Sequence, residues 1–230
     1  MKPPRPFVLV NMALSADGKI ASARRGVNHF SSPHDEHHLY TLRGTVDALL
    51  NGARTVDTTP VKMDAGPRRY RQLRLRRGLT EHPLRVIASG SGSVDLTAEV
   101  FRHPVSPILI LTTTRCAPSR FRAFQKSGAE VYTSPSSEIN FLEALQYLHR
   151  LHKVRRLLCE GGGALNDALF SADLIDEIHL TLCPRIIGGR DAPTLSDGHG
   201  IARLADSRRF QLAKRRRIGD ELYLTYRRRQ

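Results

Sequence analysis

Short apolar segments alternate with amphipathic segments along the chain, and this alternation predicts strands that alternate with helices. Residues 7–10 have the composition of a buried strand, and residues 178–182 alternate between apolar and polar side chains as a strand does. Further short strands are predicted at residues 47–50, 84–89, 108–112, 130–133 and 156–159. Two later segments, 210–217 and 221–226, flank a Gly219-Asp220 turn and predict an antiparallel hairpin. This order predicts an α/β fold with a mainly parallel sheet and an antiparallel C-terminal edge.

Helical spacing of apolar residues marks several segments between the strands. Ser32 can cap a helix, Pro33 suits its first position and Asp35 carries a favourable charge in its first turn, so one helix is expected to begin there. Other segments predict helices at residues 120–126, 141–151 and 164–170. Residues 62–77, which are dense in arginine, and residues 188–205 lack such a pattern, and we interpret both as long functional loops or irregular cover.

The composition narrows the class of protein. The chain of 230 residues carries a formal net charge of +14 and has a pI of about 10.5, which favours anionic partners such as phosphorylated small molecules or nucleic acid. No run of about 18 apolar residues predicts a membrane span, and the N-terminal residues lack the apolar region of a signal peptide. Cys116, Cys159 and Cys183 are an odd number and widely spaced, unlike a disulfide framework or a cysteine zinc site. We therefore expect a reduced, cytoplasmic protein without a membrane partner.

The strongest chemical signal is a run of three glycines at the end of a predicted strand. Glu160 follows the strand, and Gly161, Gly162 and Gly163 lead directly into a helix that begins at Ala164. Glycines let the backbone approach a ligand closely, and the N–H groups at a helix start favour phosphate. A strand–helix turn that needs glycine for its own geometry explains the run equally well. The run is neither a G-x-G-x-x-G fingerprint nor a Walker loop.

Three weaker signals also follow predicted strands. The first is Lys19, which comes after an Asp-Gly turn. The second is the segment from Gly52 to Thr55, in which an arginine and the threonine offer hydrogen-bond donors to a phosphate. Residues 89–93 read Ser-Gly-Ser-Gly-Ser. Taken alone, Lys19 is also typical of a solvated turn and residues 89–93 of a flexible loop. Ligands of open α/β sheets gather at the carboxyl ends of strands, which is where these residues are expected.

Neither the histidines nor the arginine clusters predict a further site. His34 and His38 have the spacing of metal ligands, but the chain has no H-E-x-x-H motif, no evident third ligand and no deaminase zinc signature, so we expect no metal site. We interpret the arginine runs at 215–217 and 227–229 as a solvated strand edge and a frayed terminus. Aromatic residues make up 6% of the chain and tryptophan is absent, which gives no support to base stacking and makes nucleic acid an unfavoured partner.

Taken together and in order, these segments resemble a known family. The motifs that carry the resemblance lie at residues 7–21, 42–48, 52–56, 84–87, 159–163 and 183–189, and the segment 192–200 resembles the stand-alone members. The pattern resembles the reductase of riboflavin biosynthesis, which is the C-terminal domain of bifunctional riboflavin deaminase-reductases and also a stand-alone diaminopyrimidine reductase. The resemblance implies a dihydrofolate-reductase-like fold with helices on both faces of the sheet, a single reductase domain over residues 1–230 with no deaminase domain, and a homodimer.

The same resemblance implies an NADPH-dependent oxidoreductase that converts the ribosyl group of a ribosylaminopyrimidine 5′-phosphate to its ribityl form. Lys19 and Glu160 would be the catalytic residues, which hold or polarise the substrate. Further substrate contacts would come from Asn28, Phe30, Arg43 and Lys62. The cofactor would contact Gly52, Thr55, Ser89, Gly90, Ser91, Gly161, Gly162, Gly163 and Ala164.

One segment departs from the family pattern. Many relatives continue Gly-x-x-Thr-Val with two more residues and Asp-Asp-Pro, whereas residues 55–60 read Thr-Val-Asp-Thr-Thr-Pro, one residue shorter and without the aspartate pair. The change bears on the substrate more than on the fold, and it leaves open a reductase that acts on a pterin, a folate or another small molecule. A basic nucleic-acid-binding protein without activity is the other alternative. The sequence also leaves open the oxo or amino form of the pyrimidine and the preference between NADPH and NADH.

Overall fold

The apolar segments form strands close to their predicted positions. In the computed structural model, which describes residues 4–24 and 30–229, the strands are β1 (Phe7–Ser15), β2 (Ala48–Gly52), β3 (Leu84–Ala88), β4 (Ile108–Thr113), β5 (Glu130–Ser134), β6 (Arg156–Cys159), β7 (Glu177–Cys183), β8 (Phe210–Ile218) and β9 (Glu221–Arg228). The helices are α1 (Pro33–Arg43), α2 (Ala53–Thr58), α3 (Arg68–Arg76), α4 (Glu99–Arg102), α5 (Pro118–Lys126), α6 (Phe141–Leu151) and α7 (Gly163–Ser171). The chain forms two compact units: the first combines Met1–Phe7 with Tyr40–Leu158, and the second combines Val8–Leu39 with Cys159–Gln230.

The first unit is built on parallel strands in the order β5-β4-β3-β2, with β6 next to β2. All six residues of β4 are buried, as expected of a parallel strand covered on both faces. Gly52 pairs with Ala88, and Ala88 pairs with Leu111. Because of this register, β2, β3 and β4 end at one edge of the sheet, and the segments that follow them lie side by side.

The helix α6 shows how regularly spaced apolar residues pack into the core. Ala144, Leu145 and Leu148 are its buried residues, and they recur at the three- and four-residue intervals of one helix face. Asn140 caps the helix, since its side-chain oxygen accepts the N–H of Glu143 at 3.3 Å. The amphipathic pattern therefore predicted the existence of this helix, but its inward face only in part, because Leu142 and Leu151 share the apolar spacing and are exposed.

The second unit contains the strands β1, β7, β9 and β8, in that order. Ser15 at the end of β1 pairs with Cys183 at the end of β7, and these two strands are parallel. The strand β9 runs antiparallel to both β7 and β8. The prediction of a mainly parallel sheet with an antiparallel C-terminal edge is therefore confirmed. Most of β8 is exposed, including its arginines at 215–217, in agreement with their interpretation as a solvated strand edge. The interpretation of residues 227–229 as a frayed terminus is wrong for Arg227 and Arg228, which lie in β9 and bond to Glu177 and Asp173.

The interpretation of residues 62–77 as an irregular segment is wrong for the part that forms α3. Five of the nine residues of α3 are arginine, a composition that suggests full exposure to solvent. Tyr70 and Arg74 are nevertheless buried, and they lie one helical turn apart on an inward face. The short helices α2 and α4 are also absent from the sequence-based prediction, because a helix of four to six residues has too few positions to show a period.

A buried guanidinium, that of Arg74, lies on the inward face of α3. Arg74 Nη1 donates to the carbonyl oxygens of Arg43 at 2.5 Å and Val46 at 2.6 Å, and Arg74 Nε donates to that of Thr80 at 2.9 Å. Arg85 on β3 is buried in the same manner. Its guanidinium donates to the carbonyl oxygens of Val100, His103 and Ser106. Burial lowers the pKa of each guanidinium to about 10, so both remain charged at neutral pH.

Glu177 is expected to make the stability of the protein sensitive to acid. Its carboxylate on β7 lies 2.8 Å from His179 Nε2 and accepts a hydrogen bond from Arg227 Nε at 2.7 Å. The contact with His179, aided by Arg227, lowers the pKa of Glu177 from 4.5 to about 2 against the opposing effect of burial. Because the folded-state pKa is the lower one, the ionised carboxylate stabilises the fold above pH 4.5, and this contribution is lost as the pH falls to about 2.

Urea titrations from neutral pH down to about pH 2 measure this effect as a free energy of unfolding. Glu177→Gln is expected to be less stable than wild type at neutral pH and to lose less stability in acid. Glu138→Gln, which alters an exposed carboxylate, is the matched control and is expected to follow the wild-type curve. The assignment is contradicted when Glu177→Gln loses as much stability in acid as wild type does.

Candidate active site

The glycine run at the end of β6 is shaped by packing within the second unit. Gly161 has a φ of +89°, a region that favours glycine, and the Gly161–Gly162 peptide bond is cis. A Cβ atom on Gly163 would lie 2.3 Å from Asp197 Oδ2. Glycine is therefore required at Gly161 and Gly163 by the fold itself, which supports the structural explanation of these two positions without excluding a ligand nearby.

The helix α7 begins within this run and presents its amino end there. Gly162 is the N-cap residue and supplies no side-chain cap, and Ala164 in the first turn is exposed. The first N–H groups of a helix lack partners within the helix, and they carry a partial positive charge. Glu160 lies half-buried immediately before the run. The predicted catalytic carboxylate and the predicted phosphate-binding backbone are thus neighbours in one short segment.

A distant segment, residues 192–198, packs on the start of α7. Asp197 N–H donates to the carbonyl oxygen of Gly163 at 3.0 Å, and Asn166 Nδ2 donates to that of Leu195 at 2.9 Å. Within the segment, Asp197 Oδ1 accepts the N–H of Thr194 at 2.9 Å and its hydroxyl at 2.7 Å. These bonds fix the backbone on which the glycine run depends.

Lys19 is held against the same segment. Its Nζ donates to the carbonyl oxygen of Ala192 at 3.1 Å, and its backbone forms an isolated β-bridge with Thr194. Lys19 N–H donates to Ser15 Oγ at 2.9 Å, while its own carbonyl oxygen accepts the N–H of Ser15 at 2.8 Å. The side chain is half-buried, so Lys19 is an anchored lysine rather than a solvated turn residue. Both predicted catalytic residues therefore belong to elements that residues 192–198 tie together.

Asp17 organises the turn that carries Lys19, although it was not among the predicted site residues. Its carboxylate accepts the Ser15 hydroxyl at 2.6 Å, the N–H of Ile187 at 3.1 Å and the N–H of Gly188 at 2.7 Å. The Ser15 hydrogen bond, followed by the two backbone bonds, lowers the pKa of Asp17 to about 2. The Asp-Gly dipeptide marks a turn, but nothing in the local sequence shows that its carboxylate binds the segment after β7.

The predicted cofactor contacts of the first unit lie at one edge of the sheet. Gly52 ends β2, and the half-buried Thr55 lies in the first turn of α2. Ser89, Gly90 and Ser91 form the turn after β3, and the carbonyl oxygen of Gly90 accepts hydrogen bonds from two threonine hydroxyls of β4. Ser89 is buried, and its Oγ has no hydrogen-bond partner among the described residues. The side-by-side strand ends bring these predicted contacts together.

The predicted substrate contacts have different surroundings. Arg43 is 6% exposed, and its Nη1 donates to the carbonyl oxygen of Asp64 at 3.0 Å and lies 3.8 Å from Asp64 Oδ1. Lys62 is exposed and Phe30 is half-buried. Asn28 lies outside the described residues. Arg43 therefore has partners within the first unit. Its contact with a substrate phosphate stays a prediction.

Two further residues with reactive side chains, His38 and Cys159, are packed within the second unit. His38, half of the candidate histidine pair, lies with its ring 5.4 Å from that of His179 and 5.6 Å from that of Tyr223, and burial lowers its pKa to about 4. The described parts of the chain contain no group of three or more His, Cys, Asp or Glu side chains that could hold a metal ion. Over the same residues, no helix combines the length and apolar character needed to cross a membrane. Burial raises the pKa of Cys159 to about 12, so this thiol beside Glu160 is not a nucleophile at neutral pH.

Comparison of the sequence with known proteins finds a family model and named relatives that agree with each other. A family model described as the RibD C-terminal domain matches residues 6–224. The 2,5-diamino-6-ribosylamino-4(3H)-pyrimidinone 5′-phosphate reductase of Archaeoglobus fulgidus is 33% identical over 223 residues, which are 97% of this chain and 98% of that protein. The protein of the same name from Methanothermobacter thermautotrophicus is 32% identical over 229 residues, with 96% and 98% coverage.

Solved structures share the fold. A pyrimidine reductase-like protein of Corynebacterium diphtheriae has a TM-score of 0.82 at 21% identity, with coverage of 98% of this chain and 92% of that chain. RibD of Acinetobacter baumannii has a TM-score of 0.80 at 20% identity, and this chain spans 58% of its length. These likenesses confirm the fold class that the resemblance implied.

Proposed function

This chain belongs to the RibD C-terminal domain family, and from that premise we propose that it is a reductase of riboflavin biosynthesis. The proposed substrate is 2,5-diamino-6-ribosylamino-4(3H)-pyrimidinone 5′-phosphate, whose ribosyl group becomes ribityl. The observation that carries the proposal is the end-to-end match with the reductases of that name. The amino form of the pyrimidine, which the sequence leaves open, is proposed on the same ground.

The residues at the strand ends fit the nicotinamide dinucleotide that such a reductase requires. When bound, this group supplies the hydride. In the first unit, the turn after β3 offers the Ser89 hydroxyl, which has no partner among the described residues, and the exposed Ser91 hydroxyl. In the second unit, the amino end of α7 has no side-chain cap and favours phosphate. We propose NADPH as the cofactor, because the net charge of +14 suits its additional phosphate.

We further propose that Lys19 and Glu160 act on the substrate. The ribosyl ring opens to an imine, and its C1′ is the carbon that is reduced. The Lys19 ammonium, fixed by Ala192, stabilises the charge that develops on the substrate. The Glu160 carboxylate accepts hydrogen bonds from the pyrimidine ring. Asn28, Phe30, Arg43 and Lys62 remain proposed substrate contacts.

The remaining expectations are also part of the proposal. The chain is proposed to act as a single reductase domain in a homodimer, which light scattering of the purified protein tests. Cys116, Cys159 and Cys183 are all free thiols, which agrees with the proposed cytoplasmic location in a reducing compartment.

The decisive experiment is NADPH oxidation by the purified chain with two substrates, the diaminopyrimidinone phosphate and its deaminated uracil counterpart. Turnover of the diaminopyrimidinone at a kcat/KM at least about tenfold above that of the uracil supports the proposal. Turnover of the uracil form alone contradicts the amino assignment. Binding of NADPH with turnover of neither compound contradicts the substrate class and favours a pterin or folate reductase. Salt-sensitive binding to duplex DNA without cofactor binding would favour the nucleic-acid alternative.

A further inference from the structure

Arg115 places a guanidinium directly against the turn that follows β3. A Cβ atom on Gly90 would lie 2.9 Å from Arg115 Nη2, so the guanidinium packs on the open face of the glycine. The backbone N–H of Arg115 donates to Thr113 Oγ1 at 3.1 Å, and the same hydroxyl donates to the carbonyl oxygen of Gly90 at 2.7 Å. One threonine therefore fixes both the turn and the point from which the arginine side chain leaves β4.

Other arginines of the first unit are already bound by the protein. Arg120 donates to the carbonyl oxygens of Gly92 and Val94, and Arg85 donates to those of Val100, His103 and Ser106. The Arg115 guanidinium, in contrast, is exposed and has no hydrogen-bond or ion-pair partner in the described part of the chain. Its charge is therefore available to a ligand.

We propose that Arg115 binds the 2′-phosphate of NADPH and thereby makes this protein prefer NADPH to NADH, an inference that rests on the proposed reductase function. A guanidinium offers two parallel N–H donors that match a phosphate monoester, which is close to dianionic at neutral pH. NADH carries a hydroxyl in place of this phosphate and gains little from the same cation. The exposed Ser91 hydroxyl lies on the same turn and adds a donor without charge.

The position of Arg115 at this edge distinguishes it from the remaining exposed arginines. The ends of β2, β3 and β4 are aligned, so Arg54 in α2 and Arg115 after β4 flank the Ser89–Gly90–Ser91 turn from neighbouring strands. Arg115 is in contact with the turn, as the Gly90 distance shows. Arg76 lies in the last turn of α3, which leads toward the opposite, amino end of β3.

The test compares Arg115→Gln, Arg54→Gln and Arg76→Gln in two assays. Steady-state kinetics give KM and kcat for NADPH and for NADH. Calorimetry gives the affinity for 2′,5′-ADP and for 5′-ADP, which needs no turnover. Arg115→Gln is expected to raise the KM for NADPH and weaken 2′,5′-ADP binding by at least about tenfold, with KM for NADH, binding of 5′-ADP and kcat within about threefold of wild type. Arg76→Gln is expected to match wild type in every parameter.

Two further variants separate contact from general charge. Arg115→Lys keeps the charge but not the paired donors, and it should restore part of the 2′,5′-ADP affinity. Gly90→Ala keeps the arginine but places a methyl group where the guanidinium packs, and it should weaken 2′,5′-ADP more than 5′-ADP.

The inference is overturned by wild-type 2′,5′-ADP affinity in Arg115→Gln, by an equal loss for both nucleotides, or by a selective loss in Arg54→Gln instead. Because the nucleotide assay does not use the pyrimidine, it separates the two proposals. Selective loss of 2′,5′-ADP binding in a protein that reduces neither pyrimidine supports the Arg115 assignment and contradicts the proposed substrate. If the protein reduces the pyrimidine and Arg115→Gln keeps the wild-type affinity for 2′,5′-ADP, only the Arg115 assignment is contradicted.

Discussion

Replacing Lys19 by methionine is expected to lower kcat for the proposed reduction by about 100-fold or more, because it removes a positioned cation from the site where charge develops. The ammonium is held at 3.1 Å from the carbonyl oxygen of Ala192, and that anchor orients it before the substrate binds. A cation fixed in advance needs little reorganisation during the reaction, so its removal should affect turnover more than substrate binding.

The structure also explains why this variant should fold. Lys19 is held by its backbone, through Ser15 and the β-bridge to Thr194, and methionine preserves both of these contacts. The length of the side chain is kept as well. Unchanged circular dichroism and unchanged 2′,5′-ADP affinity are therefore expected alongside the lost turnover.

Two controls make the result specific. Lys126→Met removes an exposed lysine in the last turn of α5 and should leave kcat unchanged. Lys19→Arg keeps a cation in a different shape and should retain more activity than Lys19→Met. A Lys19→Met enzyme with wild-type kcat would show that the ammonium has only a structural part in the turn.

The fold was largely predictable because its signals are local. A parallel strand buried on both faces reads as a continuous apolar run, as residues 108–112 do within β4. The hairpin of β8 and β9 is marked by the Gly219-Asp220 turn. The helix α3 was missed because its buried face depends on Arg74, whose guanidinium replaces an apolar side chain by binding three carbonyl oxygens. A hydropathy pattern assigns charged residues to the solvent-exposed surface, so it does not predict a buried arginine of this kind.

The candidate site was predictable only in part, for the same physical reason. Glu160 and the glycine run form one contiguous segment, so the local sequence predicts their strand–turn–helix geometry. Asp17 and Asp197 act on backbone groups that are distant in sequence, at Ile187, Gly188 and Gly163. Arg115 becomes a candidate ligand-binding residue because the parallel register of β3 and β4 brings it to Gly90. Such pairings follow from the packed fold and have no signature in either segment alone.

Replacing Arg74 by methionine is expected to lower the free energy of unfolding by about 3 kcal/mol or more. Methionine fills part of the space but cannot donate, so the carbonyl oxygens of Arg43, Val46 and Thr80 lose their hydrogen bonds in the interior. Hydrogen bonds from a charged donor contribute about 1.5–3 kcal/mol each, and relief of the cost of burying the guanidinium offsets part of this loss. The net effect should therefore remain destabilising.

Calorimetric melting and urea titration of the whole chain measure the loss, which corresponds to a fall in Tm of about 6–12 °C for a chain of this size. Arg76→Met, two residues further along α3 and exposed, is the matched control and should stay within about 0.5 kcal/mol of wild type. Because the pKa of Arg74 is about 10, the guanidinium is charged throughout the neutral range, and the loss should not vary between about pH 6 and pH 8. Arg74→Lys keeps a charge with fewer donors in reach, so it should fall between the two. Wild-type stability in Arg74→Met would mean that the three carbonyl oxygens find other donors, and that α3 is held by its apolar contacts instead.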